Sequence, residues 1–591
     1  MLFDARSIPR GQRIECDVCI IGAGAAGITL AQEFNGSGHK VLLLESGGLK
    51  DSTATQGLYA GQVLDPRHHA PLDRYRVRRF GGTTTVWGGC CAPFDVMDFQ
   101  VRAHVPHSGW PIDKSDLDPF YARAHVYCEL GSYAYDTSAA LPGEAAPTIP
   151  GMTAQDVASD KLWLFSPPTD FGKSYLSILR KSRNVDVCLH GNALKLIAGP
   201  PYRLDGVSVA SLQGNEFHVR AGVFVLAAGG LETTRLLLLS DDVHPRGIGN
   251  SHDLVGRFYM SHLSGDAGEV ELKPQGGQVV WGYETTADGV YCRRRFSIDR
   301  ARQEADALLN FSAILDRPAL GDPSHRDGFL SAMFLVKQLW TREAGGPPRH
   351  MAAHCVNIFA DAGSIVRYSA GLARKRFLST RRLPSVMLRG KGSRYTLHFD
   401  AEQSPNPESR VMLGESRDAF GLRRLKVDWR LSDFDVDSAA KSSLIIDGAL
   451  RRAGVGRMLL GPQAIRDRIF EMANVGSHHL GTTRMASDPA KGVVDGDCRV
   501  HGMANLYIAS SSVFATSSYA RPTLTAVALA IRLADHLKGL PDRSARGTGA
   551  GTESAERVRH DAIRRSGRET ASPVQAAMRG GRIVACRDAS Q

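Results

Sequence analysis

Long apolar runs are missing from this chain of 591 residues. No stretch of about 18 uninterrupted apolar residues occurs, so no membrane-spanning helix is expected. The N-terminus, Met1 to Arg13, is polar and lacks the apolar core of a signal peptide, which predicts a cytoplasmic protein starting near its written start. Cysteine is scarce as well: ten in so long a chain are too few and too scattered for a disulfide framework. Cys16 and Cys19 form a C-x-x-C, but a strand's pleat points them to opposite faces. They read as core cysteines, as do the adjacent Cys90 and Cys91. No group of His and Cys has metal-ligand spacing, and no metal is expected. After Leu540 the chain has too few apolar residues for a core. Ten arginines outnumber six acids there, and the stretch reads as a disordered, solvated end rather than a basic patch for nucleic acid or anionic lipid.

The apolar content of 43% is that of a well-cored globular protein, and the length implies two or three domains. The most informative stretch is Asp17 to Gly48. An apolar strand (Val18–Ile21) runs into a glycine turn, a helix, and a second apolar strand (Val41–Leu44) that ends in Glu45. Gly22, Gly24 and Gly27 have the G-x-G-x-x-G spacing. The first permits the tight turn, the second lets the backbone approach a pyrophosphate, and the third lets the helix pack on the strand. Free N–H groups at the helix N-terminus suit the pyrophosphate. Glu45 lies about twenty residues on, where an acid accepts bonds from a ribose. This unit binds an ADP-containing dinucleotide, and by itself leaves NAD and FAD open.

Further along, Arg79 to Gly89 is a loop of glycines and threonines around Trp87, suited to close backbone approach to a planar ligand. Helices are expected over Lys114–Leu130 and Gly172–Ser182, a strand at Val185–Leu189, then hairpins to Arg220. Val223–Leu226 reads as a buried strand leading through Ala227, Ala228, Gly229 and Gly230 into the helix Leu231–Leu239. From His252 to Ile446 the pattern is antiparallel strands with helices, with a basic surface loop at Arg374–Arg382 and a helix at Ser438–Ala453. Ser477 to Met485 then precedes a strand, Leu506–Ala509, with Ser510, Ser511 and Ser512 at its end. Tyr519 to Thr523 opens an apolar helix, Leu524–Leu537, with Pro522 as its start signal.

The glycine turn with Glu45, the Gly81–Gly89 loop, Ala227–Gly230 and the block from Gly476 to Leu537, in this order, resemble the glucose–methanol–choline (GMC) flavoprotein oxidoreductases over residues 14–540. Within that family the His-x-x-Gly-Thr-Thr-Arg-Met and Pro-Thr-Leu-Thr segments are most similar to the pyranose oxidase-like, sugar-oxidising branch. The resemblance implies an α/β (α+β overall) fold: a Rossmann-like FAD-binding domain assembled from both ends of the chain and an antiparallel-sheet substrate domain with helices. The expected limits are 14–251 (with inserted segments at about 50–185) and 456–540 for the first, 252–455 for the second, and 541–591 for the tail.

The resemblance also implies FAD. Residues implied to contact it are Gly22, Gly24, Ala25, Ala26, Gly27, Glu45 and Ser46; Gly81, Gly82, Thr83, Thr85, Trp87, Gly88 and Gly89; Ala193, Ala228 and Gly229; and Ser510, Ser511, Pro522, Thr523 and Leu524. The sugar-oxidising branch often attaches its flavin through a histidine in the Thr-rich loop. Val86 stands there in this chain, which implies FAD held without a covalent link.

Oxidising a CH–OH group takes a proton from oxygen and a hydride from carbon, and histidine is the usual base. His478, three residues before Gly481, aligns with the family's catalytic histidine; His479 is the secondary candidate. The helix end at Pro522–Leu524 is placed to stabilise charge developing on the flavin. One residue departs from the pattern. Arg521 stands where the family usually has Asn or His, and a permanent cation only donates. It could stabilise an alkoxide, lower the pKa of His478 or clamp an anionic substrate such as a sugar acid; alternatively it turns into an ion pair and the site is altered. The leading expectation is an FAD-dependent alcohol oxidoreductase on a sugar, sugar derivative or polyol, passing electrons to oxygen, a quinone or a carrier protein, with a dehydrogenase preferred over an oxidase. A lyase with structural FAD and a catalytically altered flavoprotein are the alternatives.

Overall fold

The computed structural model describes residues 1–540 apart from 144, 201, 274–278, 317–322, 324–325, 342–350, 375–380, 382, 385–392 and 474–475. The tail after Leu540 and most of the basic loop within Arg374–Arg382 therefore lie outside the described residues.

Among the described residues, two eight-stranded sheets and one of three strands organise the fold. The first is mostly parallel. Its centre is Arg13–Ile21, flanked by Val41–Leu44 on one side and Glu216–Leu226 on the other, all in parallel register. Val185–Leu189 and Leu2–Asp4 continue it outward beyond Val41–Leu44. On the other side Leu506–Ile508 pairs parallel with Phe224–Leu226, so a strand from near the C-terminal end is built into the sheet that the N-terminal unit begins. Parallel strands covered on both faces read as continuous apolar runs, and Val18–Ile21 and Val41–Leu44 are buried throughout. The helices Ala25–Phe34 and Thr523–Lys538 pack together against this sheet.

The second sheet is antiparallel, from Gly456–Met458 through Leu263–Leu272, Arg394–Ala401, Phe311–Asp316 and Tyr291–Ile298 to Val157–Phe165 and Cys90–Cys91. Its last two strands come from the segment read as an insertion, because Tyr291–Ile298 pairs with Val157–Phe165. The helix expected at Ser438 begins earlier, at Asp433, where Ser432 and Asp435 form a reciprocal capping box. That expected at Gly172 starts at Phe171, capped by Asp170. Cys19, Cys90 and Cys91 are buried and free, in line with their reading as core residues.

Candidate active site

The strand Arg13–Ile21 ends at Gly22, whose φ of 110° is open to glycine at little cost. A Cβ there would lie 2.6 Å from the Ala227 carbonyl oxygen, and one on Gly27 would lie 1.8 Å from the Gly22 carbonyl oxygen. Any larger residue would push the first helix off the sheet. The helix that follows has Gly24 as its N-cap, no side-chain cap and no acid in its first turn, so its amide donors face outward uncompensated. Beside them Glu45 is buried. Its carboxylate accepts from the amides of Ala23 at 2.8 Å and Gly47 at 2.7 Å.

This turn opens into a cavity of about 550 Å³. Of the expected cofactor residues, Gly22, Gly24, Ala25, Ala26, Glu45, Ser46, Gly82, Thr83, Trp87, Gly88, Gly89, Ala193, Ala228, Gly229, Ser510, Ser511, Pro522 and Thr523 line it, as do His478, His479 and Arg521. Four expected contacts stand behind the wall instead. Gly27 and Gly81 are packing glycines, the second with a would-be Cβ 2.8 Å from the Gly172 amide. Thr85 turns its hydroxyl to the Gly82 carbonyl at 2.9 Å, and Leu524 is fully buried. Arg76 and Arg78 join the lining without having been anticipated; both pair with Glu232, at 3.3 and 2.9 Å.

The histidine loop is held from several directions. Gly230 lets it come close, since a Cβ there would meet the His479 carbonyl oxygen at 2.5 Å. Thr482 donates to the Gly230 carbonyl and Ser511 to the His479 carbonyl, at 2.9 and 2.8 Å. Leu480 and Met260 exchange both backbone bonds as an antiparallel bridge. Two residues out along that bridge, His478 and His262 fall opposite each other.

Their rings meet Nδ1 to Nδ1 at 2.7 Å, while His262 Nε2 lies 2.9 Å from the Ser517 carbonyl. A carbonyl only accepts, so His262 carries its proton on Nε2 and offers Nδ1 as an acceptor. His478 must then donate from Nδ1, which leaves its Nε2 as the basic nitrogen. Burial, His262 and Arg521 hold the His478 pKa well below the ordinary histidine value, against the opposing pull of Asp400. Burial likewise lowers His262. His479 turns elsewhere: its ring stacks parallel on Tyr259 with centroids 6.1 Å apart, and Tyr259 bonds His69 Nε2 at 2.8 Å.

Arg521 stays at the cavity and is paired. Its Nη2 lies 3.4 Å from Asp400 Oδ2, and its guanidinium sits over the Trp163 ring at 5.4 Å. Burial opposes the Asp400 charge, yet Arg521 and His398 hold its pKa below the ordinary carboxylate value. Sequence reading missed both His262 and Asp400. Neither lies in a recognisable motif: His262 meets His478 beside the Met260–Leu480 bridge, and Asp400, near the end of Arg394–Ala401, meets Arg521 in the turn before the helix Thr523–Lys538.

Residues 405–530 match the family model described as GMC oxidoreductase. The chain is 22% identical to the fructose dehydrogenase large subunit of Gluconobacter japonicus, covering 89% of this chain and 98% of that protein. It is 23% identical to paromamine 6'-oxidase of Streptomyces fradiae, covering 88% and 91%. Among solved structures, pyridoxine 4-oxidase from Mesorbium loti superposes with a TM-score of 0.51 at 16% identity, covering 88% of this chain and 99% of that one.

Proposed function

We propose that this chain, a GMC oxidoreductase by its C-terminal domain, oxidises a CH–OH group of a sugar, sugar derivative or polyol with FAD, using His478 as general base. One observation carries the reading: a single cavity joins the glycine turn and Glu45 to His478 and Arg521. The lining fits a flavin dinucleotide. Uncapped helix amides suit its pyrophosphate, and the buried Glu45 carboxylate retains acceptor capacity for ribose hydroxyls. Glycines and threonines from Gly82 to Gly89 allow a planar ring close to backbone. Val86, at the position implied for a covalent link, offers no nucleophile, so the cofactor is held non-covalently. Bound FAD supplies the hydride acceptor.

The protein's own part is the proton. His478 is neutral at neutral pH, with Nε2 set as acceptor by the bond to His262, and it takes the substrate hydroxyl proton. His262 holds that tautomer and passes no net charge to the site. Arg521 donates to the oxygen that loses the proton, while Asp400 neutralises it. The pairing leaves the substrate end of the cavity close to neutral, and so favours a neutral polyol over the sugar acid that Arg521 taken alone suggests. His479 is a wall residue in this scheme rather than a second base. The unpaired state of the nine described cysteines supports placing the reaction in the cytoplasm.

The test is the visible spectrum of the purified protein, taken before and after anaerobic addition of neutral sugars and polyols. Flavin bands bleached by wild type, and bleached at least about a hundredfold more slowly by His478→Ala, are expected. A protein that takes up no FAD, or a His478→Ala variant that bleaches at the wild-type rate, would overturn the proposal.

A further inference from the structure

Three consecutive arginines stand on the strand Tyr291–Ile298, and all three are buried. Arg294 meets Glu284 through two bonds, at 2.7 and 2.9 Å. Arg293 donates to the Leu315 carbonyl at 2.6 Å and lies 3.7 Å from Asp316. Arg295 differs from both. It is 4% exposed, its Nε and Nη1 have no hydrogen-bond acceptor, and no carboxylate among the described residues lies within ion-pair distance of it. What it has is an aromatic face: its guanidinium stands 4.5 Å from the centroid of the Tyr519 ring. Asp95 and Asp98, whose charges reach Tyr519, are bonded to Asn310 Nδ2 instead, at 3.1 and 3.0 Å. An interior guanidinium without a carboxylate is costly, and packing alone would be better served by an apolar side chain of the same volume. A role beyond stability accounts for Arg295.

The ring it faces lies in the middle of the loop that serves the active site. Ala515 to Ala520 are all buried, yet none of their backbone amides donates to a backbone carbonyl among the described residues. Side chains shape the loop instead. Thr516 Oγ1 accepts from Trp110 Nε1 at 2.8 Å and donates to the Asp98 carbonyl at 2.7 Å. Ser517 Oγ accepts from the Gln403 amide at 2.9 Å and donates to the Gln403 carbonyl at 3.1 Å. Ser518 sits in the left-handed region at a φ of 55°, a conformation that persists only where the surroundings enforce it. Tyr519 follows, under the Arg295 guanidinium. The loop's two working groups flank it: Ser517, whose carbonyl fixes the His262 tautomer, two residues before, and Arg521, at the cavity, two residues after. A shift at Tyr519 moves both. We propose that Arg295 is a positioning residue for this site: its cation–π contact with Tyr519 fixes the loop so that the Ser517 carbonyl stays on His262 and Arg521 stays at the cavity. The inference rests on the roles given above to His478, His262 and Arg521.

The test is Arg295→Met, which keeps a long side chain and removes the charge, read by crystal structure, thermal midpoint and steady-state kinetics of the full-length, FAD-loaded enzyme. The variant structure should show Tyr519 displaced and the bond from His262 Nε2 to the Ser517 carbonyl lengthened or lost. Its kcat should fall by about tenfold, with KM changed less than about twofold. Its thermal midpoint should equal or exceed that of wild type, because a buried cation has been removed. Arg295→Lys, which returns a cation to the ring, should recover part of kcat. An unmoved loop in Arg295→Met would overturn the proposal whatever the kinetics. So would a displaced loop accompanied by a lowered midpoint and lost flavin, since that result makes Arg295 an ordinary part of the fold. A displaced loop with wild-type kcat and midpoint would uphold the contact's hold on the loop and count instead against the roles given to His262 and Arg521.

Discussion

His262 and His478 meet Nδ1 to Nδ1 at 2.7 Å, and the Ser517 carbonyl at the far side of His262 fixes which of them donates. The two rings are one device, of which only His478 touches substrate in the proposed reaction. His262→Ala should leave flavin binding and KM nearly unchanged and lower kcat by about tenfold to a hundredfold. It should also move the acid limb of kcat/KM to higher pH, because His262 is among the groups that depress His478. His262→Gln, which can accept from His478 and donate to Ser517, should recover part of the loss. A pH profile identical to wild type in the alanine variant would reduce His262 to a packing residue.

The pH profile of the wild type follows from the same pair. The basic form of His478 is the neutral one, and its pKa lies well below the usual histidine value. Activity should therefore hold from mildly alkaline pH down past about 6.5, the pKa of an unperturbed imidazole, before it declines. Steady-state kcat/KM across that range checks this, and an acid limb centred at or above the unperturbed value contradicts the proposed buried base.

Arg521 and Asp400 form the second pair, 3.4 Å apart. Asp400→Asn leaves the guanidinium uncompensated and removes a group that raises the His478 pKa. It should shift the ratio of kcat/KM for a sugar acid over its neutral sugar upward by about tenfold, and lower the acid limb further. Arg521→Asn strands the fully buried Asp400 carboxylate and should destabilise the fold by about 3 kcal/mol. Comparing both variants on matched neutral and acidic substrates tests the role of the pair. An unchanged ratio in Asp400→Asn would show that Arg521 does not face the substrate.

The glycine turn was legible because its whole logic lies in about thirty consecutive residues, where strand, turn, helix and acid follow in one order. His478 was legible through a local motif. His262 and Asp400 were not, since 216 and 121 residues separate each from its partner and only the tertiary fold brings them together. Arg521 could be flagged as unusual from sequence, but the carboxylate that changes its meaning comes from the far end of Arg394–Ala401. Gly81 and Thr85 show the converse. Their loop borders the cavity, yet the turn at Gly82–Thr85 points some of its members into packing rather than toward it.

Glu45 offers a test of cofactor binding that leaves the substrate site untouched. Both carboxylate oxygens accept backbone amides, from Ala23 and Gly47. Glu45→Gln necessarily turns an amide donor toward one of them, so FAD affinity should fall by about tenfold to a hundredfold. Denaturing the wild-type protein should release all of its flavin into solution, as expected of a loop with Val86 in place of an attaching side chain. Flavin that stays with the precipitated chain would contradict non-covalent binding.

Stability against acid should reveal the buried neutral histidines, and His125 is the clearest of them. It lies within 3.1 Å of the Gly131 carbonyl through Nδ1 and 3.0 Å of the Tyr135 hydroxyl through Nε2, and burial pushes its pKa down to about 4. In the unfolded chain the same ring titrates near 6.5. Between those values the unfolded state holds a proton that the folded state refuses. Stability is therefore lost as pH falls below about 6.5, by about 1.4 kcal/mol per pH unit for this group. His478, His479 and His262 are lowered in the same direction and steepen the loss. His125→Gln, whose amide can donate to Gly131 and accept from Tyr135, carries no proton to lose. Denaturation midpoints measured from about pH 7.5 to pH 4.5 should fall less steeply in that variant than in wild type, by about one proton's worth of slope. Parallel lines for the two proteins would mean that His125 titrates alike in the folded and unfolded states.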